Sequence, residues 1–211
     1  MSTTQFLLEK SLLILPILVA VTFHELAHGL VAYKLGDSTA KDAGRLTLNP
    51  IAHLDLFGSL VFIITGVIGW AKPVPVNPRN LKNPRKDMIW VALAGPVANI
   101  LIAILLAMAY RMLMHVSLNG FFNERILSPV EQMLIKGVVI NVGLAIFNVL
   151  PIPPLDGSKI LMGLLPLKQA IAYSSIEPYG IFILLVFILT DAVDYIIIPI
   201  LYILVKLLLP L

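Results

Sequence analysis

Four long apolar runs, at 11–33, 88–110, 130–150 and 179–209, alternate with shorter polar stretches that hold most of the charge. A helix rises 1.5 Å per residue, so about 20 apolar residues cross the roughly 30 Å of bilayer hydrocarbon. The first three runs meet that length. In the fourth, Asp191 and Asp194 leave two segments of about a dozen residues, each short for a crossing; the two acids either line a gate or mark the turn of a hairpin. Two segments between the first two spans read differently. Arg45–Pro50 (RLTLNP) and Lys72–Asn77 (KPVPVN) alternate or carry prolines, which suits extended chain, as exposed strand edges or as plain connecting loops. The pattern predicts an all-α polytopic membrane protein, a multi-helix transmembrane bundle with short β-strand or re-entrant elements, forming one domain over 1–211.

Composition narrows this further. With 59% hydrophobic residues, 13% charged and a mean hydropathy of +0.95 in 211 residues, no large soluble domain fits between the spans. The start of the chain lacks a basic region, a short apolar core and a small-residue cleavage site, so 11–33 is expected to remain as the first span. Cysteine is absent, which removes disulfides, thiolate catalysis and Cys metal ligands together. The net charge of +3 is small, and the basic residues gather at the ends of apolar runs, not in a stripe that would bind nucleic acid. Lys72, Arg79, Lys82, Arg85 and Lys86 occur with no acid until Asp87, which places 72–86 in the cytoplasm by the positive-inside rule. From there 88–110 runs outward, 111–129 faces away from the cytoplasm, 130–150 returns, and 151–168 is cytoplasmic.

Few polar residues lie inside the spans, and those few carry chemical information. His24-Glu25-Leu26-Ala27-His28 has the pattern H-E-x-x-H within an apolar helical run. At 3.6 residues per turn the two imidazoles stand one above the other and reach a single zinc, while Glu25 lies beside that face. There a carboxylate can take the proton of a water attacking a peptide carbonyl and pass it to the leaving amine. The same pattern on a solvated helix is often accidental. Ionisable residues inside a membrane span, by contrast, are costly and mark sites that repay the cost.

A catalytic zinc keeps three protein ligands and one open position. Without Cys, the third ligand is His53, His115 or an acid. Asp37, Asp42, Asp87, Glu124 and Glu131 fall in polar connections or at span ends, where solvation accounts for them. Asp156 follows Asn148-Val149-Leu150-Pro151-Ile152-Pro153-Pro154-Leu155, where three prolines remove donors and unwind the helix near membrane depth. Such irregular backbone is tolerated where it lines protein or a wet cavity, which favours Asp156 over an ordinary surface loop. Asn148 either donates to a developing oxyanion or substrate backbone, or caps groups the prolines leave free. His53 and Asp55 suggest a second metal site or, more simply, a polar cluster pinning the loop; His115 reads as solvated.

The pairing of His24-Glu25-Leu26-Ala27-His28 with Asn148…Pro151-Ile152-Pro153-Pro154-Leu155-Asp156-Gly157 resembles the site-2 family of intramembrane zinc metalloproteases, and Gly95-Pro96-Val97-Ala98-Asn99 is similar to that family's third landmark. The resemblance implies one zinc per chain on His24, His28 and Asp156, Glu25 as base and Asn148 as a substrate or oxyanion contact. It implies a transmembrane protein substrate in the lipid bilayer, cleaved in regulated intramembrane proteolysis in a bacterial or archaeal cell membrane. The chain looks like a minimal member, without a PDZ or nucleotide-sensing domain. An exposed strand edge would pair with unfolded substrate. Since Asp156 lies past the cytoplasmic end of 130–150, the site opens to the cytoplasm and the first helix runs inward. That puts 35–53 and 72–86 on one side, so 54–71 makes no net crossing and forms a re-entrant or hairpin element within about 41–77. The rival reading is a membrane zinc-binding protein or transporter without protease activity, in which Glu25 has no task.

Overall fold

The computed structural model of the chain describes residues 3–65, 69–117 and 124–210. Along them lie α1 (Thr3–Lys34), α2 (Thr39–Asp42), α3 (Leu56–Thr65), α4 (Pro84–Ser117), α5 (Glu124–Val149), α6 (Asp156–Leu164), α7 (Leu167–Ser174), α8 (Gly180–Leu189) and α9 (Ala192–Leu208). No sheet forms among the described residues, where the one strand-like pairing is an isolated antiparallel bridge between Leu54 and Ala71. The chain is therefore an all-α polytopic membrane protein.

Among the described residues, four helical stretches are long and apolar enough to cross a membrane: Lys10–Lys34, Pro84–His115, Leu127–Val149 and Leu167–Leu189. The fourth starts earlier than the apolar run at 179–209 suggests. Pro178 sits in the first turn of a short 3-10 helix, Glu177–Tyr179, where a missing N–H leaves nothing unpaired, so the chain continues from α7 into α8. Helix α9, with 17 residues, is only about 25 Å long. Asp191 is its N-cap residue and Asp194 lies in its first turn, where carboxylates suit the positive end of the helix dipole. The two acids thus mark a turn.

The extended expectation for Arg45–Pro50 gives way to a turn. Asn49 accepts the N–H of Ile51 on its side chain and caps a 3-10 helix, Pro50–His53, with proline at the position that needs no donor. Lys72–Asn77 forms no regular element, and among the described residues the one strand-like pairing beside it is the Leu54–Ala71 bridge. In 54–71, α3 has ten residues, about 15 Å, and the Leu54–Ala71 bridge brings the two ends of the segment together. Residues 66–68 of it lie outside the described residues.

By their contacts the residues group into two compact units. One contains Met1–Ala20, Asn99–Phe147 and Phe187–Leu211. Its core is Ala103, Ala107 and Tyr110 of α4, Val138 and Val142 of α5, and Val205 and Leu209. Small residues four apart let these helices approach closely. Asn99 Nδ2 donates to the Ala20 carbonyl at 3.1 Å and to Asn141 Oδ1 at 2.9 Å, and Asn141 Nδ2 donates to the Gly137 carbonyl at 2.8 Å. Both asparagines are fully buried, their polar atoms paired where no water would serve them. On the other faces Leu101, Leu105, Met108 and Met112 stand exposed, the surface a helix presents to lipid. The second unit, Val21–Ala98 and Asn148–Val186, holds the residues of interest.

Candidate functional site

Helix α1 presents His24 and His28 on one buried face. Their Nε2 atoms lie 3.0 Å apart. His28 Nδ1 donates to the Val91 carbonyl of α4 at 2.6 Å, which leaves Nε2 as the lone-pair nitrogen. Helix α5 stops at Val149 because Pro151, Pro153 and Pro154 supply no donors to continue it. The chain turns and restarts as α6, with Asp156 in the first turn, where the helix dipole favours a carboxylate. Asp156 Oδ2 lies 3.1 Å from both His24 Nε2 and His28 Nε2. Two glycines permit these approaches. A Cβ on Gly157 would stand 2.1 Å from the Val149 carbonyl oxygen, and one on Gly95 would stand 2.5 Å from His28 Nε2 and 2.6 Å from His24 Cε1.

Among the described residues this is the only group of three or more His, Cys, Asp or Glu side chains whose ligand atoms all lie within 4.8 Å of one another. Two imidazole nitrogens and a carboxylate oxygen converge there, and Asp156 Oδ2 is buried with no hydrogen-bond partner. Tetrahedral zinc with N and O ligands at about 2.0–2.1 Å sets its ligand atoms roughly 3.3–3.4 Å apart. The observed separations fit a cation of that kind. Lys159 Nζ, half exposed, stands 3.8 Å from Asp156 Oδ1.

The three groups line a cavity of about 770 Å³ together with Glu25 and Asn148. Its walls include Pro73, Val74, Met88 and Met162. Glu25 Oε2 accepts the backbone N–H of Val74 at 2.7 Å. Thus His24, His28 and Asp156 come together, and Glu25 and Asn148 face the same space. His53 is elsewhere: fully buried, it donates from Nε2 to the Thr47 carbonyl at 2.9 Å. Asp55 accepts the Gly58 N–H at 2.8 Å at the start of α3, so this pair holds a loop. His115 is exposed near the end of α4.

Three participants escaped the sequence. The Val91 carbonyl and the Val74 amide are backbone groups, which no residue type announces. Asp37, which solvation was expected to explain, is fully buried. It accepts the N–H groups of Thr39 at 3.1 Å and Asn77 at 2.7 Å, and Asn80 Nδ2 at 2.9 Å. Burial alone would raise its pKa, but the hydrogen bonds from Thr39, Asn80 and Asn77 outweigh this and hold it below the ordinary value of 3.8.

The family model described as Peptidase family M50 matches residues 12–135 and 116–190. The Bacillus subtilis protein named "Putative zinc metalloprotease YwhC" is 40% identical over 195 residues, 90% of this chain and 85% of that protein. The Mycolicibacterium smegmatis protein named "Putative zinc metalloprotease Rip2" is 28% identical over 185 residues, 84% of this chain and 66% of that protein. The Methanocaldococcus jannaschii protein named "Putative zinc metalloprotease MJ0611" is 36% identical over 141 residues, 66% of this chain and 63% of that protein. No solved structure matches. The extent of these matches shows that the chain belongs to peptidase family M50, the site-2 protease family of membrane zinc metalloproteases.

Proposed function

We propose that the chain is a single intramembrane endopeptidase domain that hydrolyses peptide bonds in or near the transmembrane segments of other membrane proteins, in regulated intramembrane proteolysis. The observation that carries this reading is the buried convergence of His24 Nε2, His28 Nε2 and Asp156 Oδ2 beside Glu25, at a cavity with a largely apolar wall. His24, His28 and Asp156 would hold one zinc ion. When bound, zinc supplies Lewis acidity that polarises the scissile carbonyl and makes water a competent nucleophile near neutral pH. Glu25 takes the proton of the attacking water and returns it to the leaving amine nitrogen. Asn148, at the last turn of α5, donates its amide to the developing oxyanion or to the substrate backbone.

A substrate helix must unwind to expose a peptide bond, and water must reach it. The basic segment 72–86 and Lys159 support a site that opens to the cytoplasm, so that water enters there and the released fragment leaves on that side. The cell membrane of a bacterium or archaeon is the setting that the relatives' organisms support.

Zinc content and cleavage of a model transmembrane substrate, measured for wild type, Glu25→Gln and Asp156→Ala, test this. We expect about one zinc per chain in the wild type, a zinc-loaded but inactive Glu25→Gln, and metal loss in Asp156→Ala. Cleavage by Glu25→Gln, or full zinc and activity in Asp156→Ala, would return the chain to the reading of a membrane zinc-binding protein or transporter.

A further inference from the structure

The segment Ala71–Asn80 is held at both ends. At the start, Ala71 bridges to Leu54, the Lys72 N–H donates to the His53 carbonyl at 2.9 Å, and Arg45 Nη2 donates to the Lys72 carbonyl at 2.6 Å. At the end, the Asn77 N–H and Asn80 Nδ2 both donate to the carboxylate of Asp37. Pro73, Val74 and Pro75 stand between these anchors. Proline has a fixed φ and no N–H, so this stiff stretch owns a single backbone donor, the amide of Val74. That donor meets Glu25 Oε2 at 2.7 Å, the length of a charge-assisted bond. The Val74 side chain is buried, and a Cβ added at Gly29, one turn beyond Glu25 on α1, would come within 3.1 Å of it. The strap therefore lies on the same stretch of α1 that carries the base.

A glutamate on three rotatable bonds does not hold one orientation unaided. We propose that the Val74 amide is the positioning group for Glu25, kept in register by Asp37 at one end of the strap and by Arg45 and His53 at the other. One carboxylate oxygen is committed to the strap, and the other accepts the proton of the attacking water and returns it to the leaving amine nitrogen, so the carboxylate ends the cycle unchanged. With proline on either side, no neighbouring N–H replaces the Val74 amide if the strap slips by one residue. The assignment rests on Glu25 as the base. It adds that a backbone group 49 positions away sets the geometry of that base.

The test uses the full chain in detergent, with a model transmembrane substrate and measured kcat, KM and bound zinc for wild type, Val74→Pro, Val74→Ala, Asp37→Asn and Glu25→Gln. Val74→Pro deletes the amide, and Val74→Ala keeps it and measures what the side chain alone contributes. Relative to Val74→Ala, Val74→Pro is expected to lower kcat by about 10-fold or more, with KM within about twofold and zinc retained. Asp37→Asn, which loosens the far anchor without touching the site, is expected to lower kcat about threefold in the same pattern. Equal kcat for the two Val74 variants with zinc retained overturns the proposal. If Val74→Pro loses zinc or does not fold, Asp37→Asn decides: a loss confined to kcat upholds the assignment, and wild-type kcat or a loss confined to KM or zinc overturns it. Cleavage by Glu25→Gln is a separate outcome that would remove Glu25 as base whatever the strap does.

Discussion

Gly95→Ala is the sharpest probe of the proposed metal centre, because it adds one methyl group to a helix and touches no proposed ligand covalently. The new Cβ would stand 2.5 Å from His28 Nε2, 2.6 Å from His24 Cε1 and 2.7 Å from His24 Nε2. Carbon and nitrogen normally touch at about 3.4 Å, so an imidazole or α4 must move by about 0.9 Å. Zinc–ligand distances tolerate about 0.2 Å, so an imidazole displaced that far leaves the coordination sphere. If α4 yields instead, the 2.6 Å bond from His28 Nδ1 to the Val91 carbonyl is stretched past hydrogen-bonding length, and losing such a support typically costs 10–100-fold in metal affinity. Both routes predict that Gly95→Ala binds zinc at least about 10-fold more weakly. The measurement is competition for zinc against a chelator of known affinity. Gly143→Ala in α5 is the control, since a Cβ there meets nothing within 4 Å. It is expected to bind zinc as the wild type does and to gain up to about 1 kcal/mol in helix propensity. Wild-type zinc affinity in Gly95→Ala would refute the proposed ligand set.

The remaining predictions concern the hydrogen bonds within each unit. Asp37→Asn is expected to destabilise the chain by about 1–3 kcal/mol at neutral pH, since a buried carboxylate with several donors is replaced by a neutral amide. The folded-state pKa of Asp37 lies below its unfolded value, so its contribution is present above about pH 4 and is lost as pH falls through the folded pKa. The difference in Tm between wild type and Asp37→Asn should therefore hold from pH 7 to about 5 and shrink below about 4; a difference that grows on acidification would contradict this. Asn99→Ala and Asn141→Ala should each cost about 0.6–1.7 kcal/mol in reversible unfolding, and together less than their sum, because they share one hydrogen bond. Strict additivity would mean that the shared bond contributes nothing.

Much of this protein is legible because the relevant signals are local. Apolar length alone marks helices able to cross a bilayer, since no other open structure satisfies its backbone there. The spacing of His24 and His28 puts both imidazoles on one face by helical geometry, before any tertiary contact exists. Pro151, Pro153 and Pro154 end α5 by removing donors, which is why the break ahead of Asp156 can be read from residue types. Other features are not local. Whether Asp156 meets His24 and His28 depends on where α6 restarts and on two glycines that let backbones approach. Arg45–Pro50 alternates like a strand, yet its asparagine and proline cap a turn, because among the described residues no partner strand lies beside it to outbid the local hydrogen bond. Asp37 has the sequence setting of a solvated loop acid and becomes a buried anchor only when 77–80 folds over it. The Val91 carbonyl that orients His28 and the Val74 amide that meets Glu25 belong to the backbone, identical at every non-proline residue, so only the tertiary structure could select them.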